Sequence, residues 1–171
     1  MVAVIFGSTG GIAHAVSHLF WEKGYDLALF STSQLTYEDD CVLARAGDAS
    51  LESDVREFLS DVEKKFGSIG VVVFAVGSPV TDLPSSHRAN VVTLYNVLEA
   101  MGQKSATPIF VIGSLRSGTP GRNVAYCVSK AGVEMAVACE KKRFPHLNVT
   151  LLRLGFTNTP LYKEESQLPF T

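Results

Sequence analysis

The sequence predicts a doubly wound α/β protein, a mostly parallel sheet flanked by helices, on three observations. Short apolar runs alternate with longer amphipathic stretches from end to end. Several of those runs are continuously apolar, as strands are when both faces of a parallel sheet are covered. The first run ends in a glycine cluster that opens a helix-like stretch. With 171 residues, 46% of them hydrophobic, the chain has material for one core, and residues 1–171 are expected to form one domain.

Strands are expected at Val2–Phe6, Leu27–Phe30, Val42–Ala46, Val71–Ala75, Ile109–Ile112 and Val149–Leu152. Helices are expected near Ile12–Lys23, Leu51–Phe66, Ser86–Gln103 and Ala125–Arg143. The second is the most plainly patterned. Val55, Phe58, Leu59 and Val62 recur at helical spacing, with Asp54, Glu57, Asp61, Glu63, Lys64 and Lys65 between them. One interval is thin. The 11 residues from Ser31 to Cys41 are too few for a full crossover helix, so a turn or an irregular crossover is expected there. After Gly155 the remaining segment is short, and Pro160 and Pro169 discourage a long helix. No repeat, low-complexity tract or linker interrupts the pattern.

Composition excludes several classes. The formal charge is -2 and the 15 Lys and Arg are scattered, so no basic stripe for nucleic acid exists. No apolar run approaches the roughly 18 residues of a membrane span, and Val2–Phe6 is too short for a signal-peptide core. Cys41, Cys127 and Cys139 have no paired spacing, which suits free thiols and a cytoplasmic location. His14 and His18 lie four apart, but no glutamate stands between them and no third ligand is near; His87 and His146 have no companions. No metal is expected.

Gly7-Ser8-Thr9-Gly10-Gly11-Ile12-Ala13 follows the first strand directly. Gly7 permits a tight exit from the strand, Gly10 or Gly11 lets the backbone approach a pyrophosphate, and the helix N-terminus offers free N–H groups to the anion. Ala13 is small enough for close helix–sheet packing. A plain turn would also use glycines, but this context favours a dinucleotide loop of Rossmann type. At the end of the second strand, Phe30-Ser31-Thr32-Ser33 carries no charge. Without an acid to claim the ribose hydroxyls or repel a 2′-phosphate, either NAD or NADP fits, with a slight lean to NADP. Asp48, after Ala46-Gly47, could accept from an adenine amino group or cap the helix beginning near Leu51, and spacing does not separate these uses.

The catalytic candidates cluster later. Tyr126 and Lys130 lie four apart in Tyr126-Cys127-Val128-Ser129-Lys130 and so share one helical face. A neighbouring ammonium favours the phenolate and lowers the phenol pKa, making Tyr126 a usable proton donor and acceptor. Ser114 ends the run Ile109-Phe110-Val111-Ile112-Gly113, at the strand edge that lines the ligand crevice in open α/β sheets. Asn90 sits inside a helical stretch. A local kink there could expose a carbonyl or its amide to a water reaching Lys130, whereas the plainer reading is a surface or capping asparagine.

Together these residues resemble the short-chain dehydrogenase/reductase family. The Gly7-x-x-x-Gly11-Ile12-Ala13 loop resembles its TGxxxGIG motif, and Tyr126-x-x-Ser129-Lys130 matches its YxxSK. The resemblance implies a catalytic tetrad of Asn90, Ser114, Tyr126 and Lys130. It implies cofactor contacts at Gly7, Ser8, Thr9, Gly11, Ile12, Ser31, Thr32, Asp48, Ala49, Ala75, Gly77, Tyr126 and Lys130. In Leu154-Gly155-Phe156-Thr157-Asn158-Thr159-Pro160, which looks like the family's PGxxxT, it adds Gly155 and Thr157 near the nicotinamide and Thr159 near the phosphates. Phe74-Ala75-Val76-Gly77 departs from the usual NNAG, Leu154 replaces a proline, and family members run longer, with a substrate lid.

The expectation is an oxidoreductase interconverting a small-molecule carbonyl and a secondary alcohol, with Tyr126 as general acid/base. A non-catalytic NAD(P)-binding scaffold and an epimerase-like use of the Tyr/Lys pair are the alternatives. The stretches Val91–Leu98 and Val133–Ala138 are richer in apolar and small residues than a monomer needs, and the corresponding family helices pair across a two-fold, which implies a homodimer or homotetramer.

Overall fold

A computed structural model of the protein describes residues 1–33, 35–37, 39–102 and 107–159. Six strands form one parallel sheet: β1 (Val2–Phe6), β2 (Asp26–Ser31), β3 (Val42–Ala46), β4 (Ile69–Phe74), β5 (Ile109–Ser114) and β6 (Val149–Leu154). Their order is β3-β2-β1-β4-β5-β6. The helices are α1 (Gly11–Glu22), α2 (Glu52–Phe66), α3 (Leu83–His87), α4 (Thr93–Gly102) and α5 (Val124–Arg143). This is the expected doubly wound, Rossmann-type architecture. Between β2 and β3 no helix forms among the described residues, as the thin interval predicts. Pro160, Pro169 and the segment they occupy lie outside the described residues, as does Gln103.

The continuous apolar run of β1 is explained by burial on both faces. Successive strand side chains point to opposite sides. Val2, Val4 and Phe6 join a large core with residues of α2, α4 and α5, among them Phe58, Leu98 and Val133. Ala3 and Ile5 pack on the other face with Ala13, Leu27 and Leu29, beneath α1. Phe6, Phe30 and Phe58 fill the first core as a ring cluster, with centroids 4.9 to 5.7 Å apart.

The expected single helix Ser86–Gln103 is instead α3, a π-helical turn (Arg88–Val92) and α4. It starts earlier because the Asp82 carboxylate caps α3, accepting the Ser85 N–H at 2.9 Å. Within the turn the Thr93 N–H reaches back five residues to the Arg88 carbonyl, and the Thr93 hydroxyl donates to the Ala89 carbonyl at 2.8 Å. That widened turn is the physical form of the kink anticipated at Asn90.

Paired to β2 on one side and β4 on the other, β1 is the strand at which the chain's winding direction reverses. Such a reversal opens a crevice beyond the strands' carboxyl ends. Gly7 leaves β1 there at φ +79°, where a Cβ would come within 3.0 Å of the Ala75 and Val76 backbone. No described helix is long and apolar enough to cross a membrane.

Candidate active site

The loop after β1 leaves the start of α1 without a side-chain cap. Gly10 is the N-cap of α1, offers no side-chain cap, and no acid stands in the first turn. The leading N–H groups of α1 therefore have no side-chain acceptor of their own. By contrast, α3 and α5 are capped by Asp82 and Asn123. Ser8 is buried, and its hydroxyl oxygen has no hydrogen-bond partner among the described residues. An orphaned buried hydroxyl beside an uncapped helix start, with a bend only glycine fits, accommodates the diphosphate of a dinucleotide.

Across the crevice, α5 carries Tyr126 and Lys130. The Asn123 side chain accepts the Tyr126 N–H at 2.9 Å and donates to the Pro79 carbonyl at 2.6 Å, fixing where the helix begins. One turn on, Lys130 is buried, with its ammonium 5.6 Å from the centroid of the Tyr126 ring and 3.5 Å from the Val76 carbonyl. Burial pushes its pKa from the ordinary lysine value down to about 8. The Ser114 hydroxyl accepts the Arg116 N–H at 3.2 Å. It donates to no described residue, so its proton remains for a ligand. Thr9, Gly10, Gly11, Ile12, Ala75, Gly77, Ser114, Tyr126, Lys130, Gly155, Thr157 and Thr159 all line one cavity of about 390 Å³.

Asn90 is buried, not a surface or capping residue. Its carbonyl oxygen accepts the Ser78 N–H at 3.1 Å, and its amide nitrogen reaches the Ser78 and Ser86 carbonyls at 3.0 and 2.9 Å and the Ser129 hydroxyl at 3.2 Å. The side chain is thus spent on fastening the loop after β4 to α3 and α5, beside the Val76 carbonyl that Lys130 touches. Asn90→Leu strands these buried groups and is expected to cost about 2–4 kcal/mol. Chemical denaturation of the two proteins measures it; a loss below about 0.5 kcal/mol would contradict the fastening role.

The profile of the short chain dehydrogenase family matches residues 1–168. The chain belongs to that family. A human 3-oxoacyl-[acyl-carrier-protein] reductase is 26% identical over 187 aligned residues, spanning 95% of this chain and 78% of the relative. An alcohol dehydrogenase from the archaeon Thermococcus sibiricus, solved with 5-hydroxy-NADP, shares the fold at TM-score 0.78 and 21% identity, covering 94% of this chain and 78% of its own. A short chain dehydrogenase/reductase from Saccharomyces cerevisiae superposes at TM-score 0.86 and 14% identity, covering 98% and 75%.

As a short chain dehydrogenase, the protein is a nicotinamide-dependent oxidoreductase by family. Its remaining sequence-predicted residues lie outside the cavity wall. Gly7 and Ser8 belong to the loop after β1 but are not among the residues lining the cavity. Ser31 is buried and donates to the Ser33 carbonyl at 2.7 Å, while Thr32 is exposed. The Gly47 N–H donates to the Ser31 carbonyl at 2.9 Å, so the Asp48–Ala49 segment stands beside the end of β2. Partial burial raises the Asp48 pKa, but bonds from Ser50 and the Arg88 guanidinium outweigh it and hold the carboxyl below its usual range. Asp48 does not cap α2, whose N-cap is Leu51 with no side-chain cap; the Asp48 carboxylate instead accepts the Ser50 N–H at 2.9 Å, ahead of the helix. Ala49 is buried, and its carbonyl accepts the Asn96 amide at 3.0 Å. The short chain dehydrogenase cavity also takes in Leu115, Arg116, Thr119 and Phe156, which sequence reasoning missed. The available signal was adjacency: Leu115 and Arg116 follow Ser114 directly, and Phe156 follows Gly155.

Proposed function

We propose that the protein reduces a small-molecule carbonyl to a secondary alcohol, and reverses the reaction, with Tyr126 as general acid/base. The observation that carries this is the convergence of Ser114, Tyr126 and Lys130 on a cavity whose opposite wall is the uncapped start of α1. When bound, the nicotinamide supplies or accepts the hydride. The Ser114 hydroxyl donates to the carbonyl oxygen, and the Tyr126 hydroxyl delivers the proton that completes the alcohol. Lys130 stabilises the phenolate left behind and donates to the nicotinamide ribose.

Gly7, Ser8, Thr9, Gly11 and Ile12 would hold the diphosphate. Ser31, Thr32, Asp48 and Ala49 would take the adenosine end, Ala75 and Gly77 the middle, and Gly155, Thr157 and Thr159 the nicotinamide half. Among the described residues the Thr157 and Thr159 hydroxyls make only long local bonds, at 3.3 and 3.4 Å, which a stronger acceptor would replace. With hydroxyls and no acid at the end of β2, NADP is slightly favoured over NAD; the Thermococcus relative in complex with 5-hydroxy-NADP agrees. Asn90 would act as the tetrad's fourth member by fixing the loop under Lys130. Residues 1–171 would work as one cytoplasmic domain, in a homodimer or homotetramer through α4 and α5, where Tyr95, Val128 and Met135 are exposed.

The test is consumption of NADPH and NADH against a panel of aldehydes and ketones. Substrate-dependent oxidation is expected with at least one cofactor, faster with NADPH. Saturable cofactor binding without oxidation of either would favour a non-catalytic binding protein.

A further inference from the structure

The reaction proposed above uses Ser114, Tyr126 and Lys130 and leaves one charged group of the cavity without a task. Arg116 stands two residues beyond Ser114 and lines the same cavity. Its own N–H holds the Ser114 hydroxyl at 3.2 Å, so its backbone is tied to the group that meets the substrate oxygen. One guanidinium N–H donates to the Pro120 carbonyl at 2.9 Å, and the planar head lies 5.6 Å from the centroid of the Phe156 ring. Among the described residues these contacts hold the head in place while using one of its five donors.

No carboxylate among the described residues pairs with Arg116. Arg45, Arg56, Arg88, Arg143 and Arg153 each sit against an Asp or Glu. Among the described residues the cavity lining contains no acidic residue, and Lys130, the other lining cation, is buried against the Tyr126 ring and the loop after β4. A fixed, partly buried guanidinium with unused donors and no counter-charge among the described residues is a fork for a planar or tetrahedral anion. The diphosphate of a bound dinucleotide is accounted for at the start of α1. An anion bound at Arg116 would therefore belong to the other reactant. Leu115 and Phe156, 52% and 75% exposed, offer apolar flanks beside it.

We propose that the substrate is an anionic carbonyl compound, one whose carboxylate, sulfonate or phosphate group is bound by Arg116 while its carbonyl faces Ser114 and Tyr126. The proposal rests on the reductase reading and adds the substrate's charge to it.

Matched pairs test it: an oxo acid and its methyl ester or primary amide, with the same carbon skeleton, compared at saturating cofactor. The wild-type protein is expected to prefer the acid by about 10- to 100-fold in kcat/KM, mostly through KM. R116Q should bring that ratio to within about twofold of one, and R116K, which keeps the charge but not the fork, should fall between. Independently of turnover, the oxo acid should raise the melting temperature of the wild type more than its amide does, and should lose that advantage in R116Q. Equal rates for acid and ester in the wild type, or a ratio that survives R116Q, would overturn the proposal. So would a loss of cofactor affinity in R116Q matching its loss of acid preference, because Arg116 would then serve the cofactor. Neutral carbonyls reduced without any preference for the acid remove only the anion subsite. No reduction and no thermal shift with any pair remove the reductase reading as well.

Discussion

Tyr126→Phe is expected to lower kcat by about 100- to 10,000-fold, the usual worth of a positioned proton donor, while leaving cofactor affinity within about twofold. The substitution keeps the ring and deletes only the hydroxyl. The 5.6 Å approach of the Lys130 ammonium is to the ring, which the variant keeps. The helix start is fixed through the Tyr126 N–H by Asn123, which the variant preserves. A fall in kcat with unchanged cofactor titration assigns the loss to chemistry. Turnover within about threefold of wild type would remove Tyr126 from the proton-transfer role.

Lys130→Met has effects of opposite sign on activity and stability. Activity should fall at least about 100-fold, since the phenolate loses its cation and the ribose its donor. The cofactor-free protein should nevertheless become more stable. Lys130 titrates near pH 8 when folded against 10.5 for the free side chain. Between those values the unfolded chain binds more protons than the folded one, so stability rises with pH across that window. Below about pH 8 the buried charge costs the fold on the order of 3 kcal/mol, a penalty that disappears above pH 10.5. Urea denaturation at several pH values is the measurement. The stability difference between Lys130→Met and wild type should be largest at neutral pH and shrink from pH 8 upward. A variant less stable at neutral pH would mean that the burial costs less than the lost contacts contribute. The protein thus keeps a destabilising cation where the proposed chemistry needs one, as strained functional sites do.

What could be read in the sequence follows from how local each signal is. The all-apolar β1 reported two covered faces by itself, because strand alternation made Val4 and Ile5 serve different cores. That no helix forms among the described residues between β2 and β3 could be read from the length of the interval alone. Tyr126 and Lys130 were legible because a helix brings residues four apart onto one face. Asn90 was half legible. An amide inside a helix announced an irregular turn, but its partners Ser78 and Ser129, 12 and 39 residues away, belong to tertiary packing. Arg116 escaped for the same reason. Nothing in Ser114-Leu115-Arg116 tells that the chain turns into a short 3₁₀ segment there and keeps the arginine at the cavity instead of sending it into solvent.

The most direct measurement follows deuterium from the nicotinamide C4 of labelled NADPH into product by mass spectrometry, with wild-type protein and Tyr126→Phe. One deuterium on the carbinol carbon of the alcohol with the wild type, and almost none with the variant, is the predicted result. Bound cofactor with no label in any product, or label transferred equally by both proteins, would contradict the account.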